Sequence, residues 1–122
     1  MKQAPVAAKP AQAIAVKALR DAMGVRVSTK KPSKLDDRYV IVSRIGGSSS
    51  TFATSDPRFL VECYALTELE AEAFAEQVAV AWRRLRTHGI VYAYDDQNLV
   101  PNNDPDTSHV RFQFTGGLRI VL

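Results

Sequence analysis

Apolar residues recur with two different periods along this chain, and the switches between them mark out its elements. Over residues 11–23, Ile14, Ala15, Ala18, Leu19 and Ala22 fall at helical spacing and form one apolar stripe. Pro10 is tolerated at a helix start, and Gly24 stands where a left-handed C-cap is wanted. "VRV" at 25–27 then predicts a short strand, and the polar "STKKPSKLDD" after it predicts a loop. The β-branched run "RYVIVSRI" (38–45) and "RFLVECYAL" (58–66) predict two antiparallel strands. Between them "GGSSST" reads as the start of a wide connection rather than a tight hairpin.

The helical period returns after Leu66. Thr67 and Glu70 make a capping box, and Phe74, Val78, Ala81, Trp82 and Leu85 share one face, with Gly89 placed to close the helix. "IVYAY" (90–94) is a strand, and "DDQNLVPNNDPDTS" is dense in turn residues. In the last stretch Val110, Phe112, Phe114, Leu118, Ile120 and Leu122 alternate with Arg111, Gln113, Thr115 and Arg119, so one strand face is core and the other polar. Gly116-Gly117 interrupts that alternation and predicts a bulge or bend. The order of helix, strands, helix, strands has no repeating βαβ unit. It predicts an α+β fold in which a mostly antiparallel sheet carries two helices on one face.

A chain of 122 residues has room for one domain and one core, so 1–122 is expected to form a single unit. At this size much surface stays exposed after folding, which makes burial against other subunits an option. The net charge of +3 spreads over 16 basic and 13 acidic residues without a long like-charged run, a weak signal for nucleic acid. Its distribution matters more. Lys2, Lys9, Lys17, Lys30, Lys31 and Lys34 crowd the first third, whereas Asp95, Asp96, Asp104 and Asp106 gather in one late loop. A single cysteine, Cys63, excludes an internal disulfide and a multi-cysteine zinc site. "MKQAPVAAKPAQ" lacks the apolar core of a secretory signal, and no stretch approaches ~18 apolar residues, so cytoplasmic synthesis without a membrane span is expected.

Candidate chemistry is thin. "RIGGSSST" (44–51) offers backbone donors and hydroxyls, but a phosphate loop needs a following helix and a placed lysine, and here the next element is a strand. The loop reading is preferred. The late acids with His109 have ligand types for a hard cation but no EF-hand spacing, and Pro101 and Pro105 favour turn chemistry. Cys63 falls on the buried side of its strand, where cysteine acts as a small apolar group. His88 stands at a helix end, and no Ser, His and acid converge, so neither an enzyme nor a cofactor is expected. Tyr39, Phe59, Tyr64, Tyr92 and Tyr94 lie on strands near basic residues. They are read as cross-strand packing before a single-strand nucleic-acid surface.

The order of these segments resembles a known group. "YVIVSRIGGSSST", then "SDPRFLVECYALTELEAEAFAEQVAVAWRRL", then "NNDPDTSHVRFQFTGGLRIVL" are similar to the tail terminator proteins of long, non-contractile-tailed bacteriophages, especially those of actinobacterial hosts. The likeness spans roughly residues 10 to 122 and leaves the order of the first ten open. Its motifs fall at Arg44, Gly46 and Gly47, at Asp56 and Pro57, at Val61 to Ala65, at Asp104 to Asp106, and at Arg111 to Phe114.

The resemblance implies a virion structural protein without catalysis or cofactor. Its partners would be copies of itself in a homohexameric ring, the tail tube protein, and the connector or neck proteins, with DNA passing through the lumen without sequence-specific contacts. A head-completion or connector role is the nearest alternative, and a small nucleic-acid-binding module is a further one. Candidate interface residues are Arg44, Gly46, Gly47, Asp56, Arg58, Asp95, Asp96, Asp104, Asp106, Arg111 and Arg119. A ring needs two complementary, non-identical surfaces, and the sign difference between the first third and the late loop offers them. Reversing Asp104 and Asp106 to lysine is expected to weaken assembly and leave the monomer folded.

Overall fold

In the computed structural model, which describes residues 10–51, 53–103 and 108–121, the chain is α+β. Helix α1 (Ala11–Met23) follows Pro10, and Gly24 (φ 67°) closes it by donating its N–H to the Arg20 carbonyl at 2.8 Å. Strands β1 (Arg26–Ser28), β2 (Tyr39–Thr51) and β3 (Thr54–Ala65) come next, then helix α2 (Glu68–Arg83). The chain ends in β4 (Ile90–Asp95), the two-residue β5 (Val100–Pro101) and β6 (Val110–Val121). The sheet order is β1-β2-β3-β6-β4, with β5 also beside β6. Among the described residues only β1 and β2 run parallel, and the other pairs are antiparallel.

The alternation in the strands sets the two faces. Val40 and Val42, Phe59, Val61 and Cys63, and Phe112, Phe114, Leu118 and Ile120 form one core with Leu19 of α1 and Phe74, Val78 and Trp82 of α2. Both helices therefore lie on this face, because their apolar stripes have nowhere else to be covered. On the other face Tyr39, Ile41 and Tyr64 make a second small cluster, the two tyrosine rings stacked at 4.5 Å. The segment 29–38 links β1 to β2, and His109 Nε2 lies 2.9 Å from the Asp36 carbonyl while its ring meets Tyr39 edge-on.

Three local expectations change. The run at 44–51 is not a wide loop: Gly46 pairs with Arg58, Gly47 with Pro57, Ser48 with Asp56 and Thr51 with Thr54, so β2 and β3 form one long hairpin. The register shifts between Arg44 and Gly46, which turns Ile45 outward. Gly47 (φ 96°) is required there, because a Cβ would collide with the backbone of Asp56 and Pro57. Glycine and serine are poor strand formers, yet a paired partner strand overrides the preference.

Helix α2 also ends earlier than Gly89. Thr67 Oγ1 accepts the Glu70 N–H at 3.2 Å as the capping box requires, but Arg84 and Leu85 bond back three residues, to Ala81 and Trp82, and the helix stops. His88 (φ 56°) and Gly89 (φ 85°) then make a primed turn into β4, with Ile90 N–H donating to the Thr87 carbonyl. Finally, Gly116-Gly117 is no bulge: Arg58 pairs with Gly117 and Phe59 with Gly116 in the same register as Val61 with Phe114.

Candidate functional site

The two glycines of β6 are sites of close approach. A Cβ on Gly116 would lie 2.5 Å from Trp82 Nε1, and that nitrogen donates at 2.9 Å to the Tyr94 carbonyl. A Cβ on Gly117 would enter the Tyr94 ring. Trp82 is fully buried, with Phe59 and Phe114 edge-on to it, so α2, β3, β4 and β6 are fastened at one point. This fastening fixes what the open face of the sheet presents.

On that open face the register sets residues in rows. Gly46, Arg58, Gly117 and Tyr94 are successive neighbours across four strands. Alongside, Asp56 bridges to Arg119 (2.9 Å), which is paired with Tyr92. That bond to Asp56 also holds the Arg119 guanidinium above its ordinary value. Tyr92 and Tyr94 stack at 5.9 Å and remain 52% and 41% exposed, with the Arg86 guanidinium 5.8 Å from the Tyr92 ring. The result is an aromatic and basic patch that no helix among the described residues covers. Of the residues singled out in the sequence, Gly46, Gly47, Asp56, Arg58 and Arg119 gather in this half of the sheet.

Arg44 sits on the helix side instead, its N–H donating to Gln12 Oε1 and its Nε to the Gly46 carbonyl. Arg111 lies at the other end of β6. Its Nη1 donates to Glu62 Oε2 (2.7 Å) and to the Tyr64 hydroxyl (3.1 Å), and its Nε to the Asn102 carbonyl. The Glu62 and Arg111 side chains are only 13% and 15% exposed, so this pair ties β3 to β6 and to the start of the late loop. Burial pushes the Tyr64 hydroxyl above its ordinary value.

The acidic group is divided. Asp95 turns to the helix side, its carboxylate 3% exposed, with Oδ2 accepting from Arg83 Nη1 at 2.9 Å. Its Oδ1 is buried with no donor among the described residues. An acceptor left so costs about 1–3 kcal/mol. Asp96 turns the other way and accepts from Thr115 Oγ1 (2.8 Å) and the Asn98 N–H (3.1 Å). Asp104 and Asp106 lie outside the described residues. Among the described residues no three His, Cys, Asp or Glu side chains group to hold a metal.

Beside Asp95, a cleft of about 530 Å³ opens between α2 and the turn after β4, with Glu76, Val80, Arg83, Asn98 and Leu99 in its wall. Sequence reading missed this cleft, as it missed the exposure of Tyr92 and Tyr94. The exposure of the two tyrosines follows from the register shift between Ile90 and Tyr92, which resets the alternation of β4, and such a bulge leaves little trace in the sequence.

No family model and no curated protein matches the chain. Among solved structures, a chain of the virion of a native gene transfer agent (GTA) particle is similar in fold, with a TM-score of 0.64 and 16% sequence identity over 92% of this chain and 95% of that one.

Proposed function

We propose that this protein is a structural component of a phage or phage-like virion, and specifically a tail terminator. It acts by shape and contact rather than by reaction. Copies close into a ring, on the family resemblance a hexamer, at the head-proximal end of the tail tube. The ring stops tube growth and offers the surface to which connector or neck proteins attach, while DNA crosses its lumen without sequence-specific binding. The chain acts as one unit over 1–122, and its place is the virion.

The observation that carries the proposal is the match of fold, over nearly the full length of both chains, to a chain of an assembled virion particle. The order of motifs from Arg44 to Phe114 supports the narrower role. A heterologous contact closes into a ring only between two different surfaces. The open-face patch at Arg58, Tyr92 and Arg119 and the cleft at Asp95 are two different surfaces available for such contacts.

A capping assay tests the role. Purified protein is added to growing tail tubes that lack their terminator, and tube length is measured by electron microscopy. Tubes of fixed length bearing a ring at one end are expected. Uncapped, overgrown tubes that nevertheless gain the protein at the head portal would shift the role to a head-completion protein.

A further inference from the structure

We infer that the cleft between α2 and the turn after β4 is a receptor for a lysine side chain, supplied by the segment after β1 of a second copy of this chain. The inference rests on the self-assembly just proposed and names the contact that would carry it.

The cleft has the chemistry of a cation site. Glu76 and Asp95 contribute two carboxylates to its wall against one guanidinium, that of Arg83. Arg83 engages only Oδ2 of Asp95, and Oδ1 has no donor among the described residues although the side chain is 97% buried, being 3% exposed. A carboxylate so placed gains from a further N–H donor, and a charged donor more than a neutral one. Ala79, Val80 and Leu99 add apolar wall of the kind on which an aliphatic stem lies while its charged head reaches the acids. An ammonium on a four-carbon stem meets both demands.

The donor follows from charge and topology. The cleft lies beside β4 at one edge of the sheet, and the segment 29–38 leaves β1 at the other edge before its later residues reach His109 and α2. Lys30 and Lys34 are exposed on that segment. A contact from one edge to the other joins unlike surfaces, so it repeats from copy to copy in one direction, which a closed ring requires.

The first test is a titration of isotope-labelled protein with a peptide of residues 28–36, "STKKPSKLD", followed by amide shifts. Saturable shifts confined to residues 76–83 and 95–99 are expected. They should weaken roughly fivefold in Glu76→Gln, the range of a single exposed charge pair, and also in Asp95→Asn. Absence of shifts at millimolar peptide overturns the inference and leaves the cleft to water. Equal shifts with a peptide carrying alanine at positions 30, 31 and 34 overturn the lysine assignment. Equal binding of an unrelated lysine peptide overturns the assignment to a second copy. In the full chain, Glu76→Lys and the double variant Lys30→Glu, Lys34→Glu should each lower assembly, and mixing the two should restore it. The capping assay is read separately. Wild-type protein that caps tubes but ignores the peptide sinks this contact alone, and binding without capping sinks only the terminator reading.

Discussion

Gly116 and Gly117 are adjacent and identical, yet their neighbours predict different costs of adding a methyl group. At Gly116 the obstruction is Trp82, fully buried and held by its bond to the Tyr94 carbonyl, so the ring has no room to yield. Gly116→Ala is expected to lose about 1–3 kcal/mol, as overpacking does. At Gly117 the obstruction is the Tyr94 side chain, 41% exposed and free to swing toward solvent. Gly117→Ala should cost less. Urea unfolding of both variants checks the order, and equal losses would mean that Trp82 does not act as the fixed point. Cys63 yields a second prediction. Burial, with the Glu62 charge beside it, pushes its thiol well above the ordinary value, so the folded protein keeps a proton that the unfolded chain releases above pH ~8.5. The folded state then binds more protons, and stability falls as pH rises. The stability difference between wild type and Cys63→Ala should shrink above that pH, with a slope approaching about 1.4 kcal/mol per pH unit. A difference that stays constant from pH 7 to ~10.5 would mean that the thiol titrates alike in both states.

Elements were legible where the hydrophobic period was long and the punctuation local. Helix α1 with Gly24, the Thr67 cap of α2, and the alternating β6 all follow from neighbours within four residues. The failures share a different cause. Gly46 to Thr51 belong to a strand only because β3 lies beside them, and Gly116 and Gly117 are shaped by Trp82 and Tyr94, contacts that no local pattern encodes. Gly89 follows the same logic: it serves a turn between α2 and β4, while the end of α2 is set where Leu85 leaves the helical track to enter the core. The interface candidates show the same division. Charge signs along the chain were readable, but which face each acid takes was not, since Asp95 and Asp96 point to opposite sides of the sheet. The capping prediction belongs at this scale. Thr67→Ala removes the acceptor for the Glu70 N–H and should cost about 1 kcal/mol in the denaturant midpoint, without changing the slope of the transition. A loss within error would mean that water replaces the hydroxyl at no cost.

For the whole molecule, the asymmetry of the sheet is the property most relevant to assembly. One face is sealed by two helices, whereas the half of the other face around Arg58, Arg119, Tyr92 and Tyr94 is uncovered among the described residues. Exposed tyrosines beside arginines are the residue types that carry binding energy when a partner excludes water from them. In the monomer they contribute little, since surface changes away from buried networks alter stability by about 0.5 kcal/mol or less. Arg58→Glu together with Tyr92→Ser separates the two roles. Tyr94 is left intact because it packs over Gly117, and Arg119 because it is bound to Asp56. The double variant is expected to unfold at nearly the wild-type denaturant concentration while losing ring formation or tube capping. Retained capping with an unchanged native mass would assign assembly to the sheet edges, with the open face left as solvent-facing surface. Loss of both stability and capping would instead make the patch part of the fold, through the Arg86 contact to the Tyr92 ring.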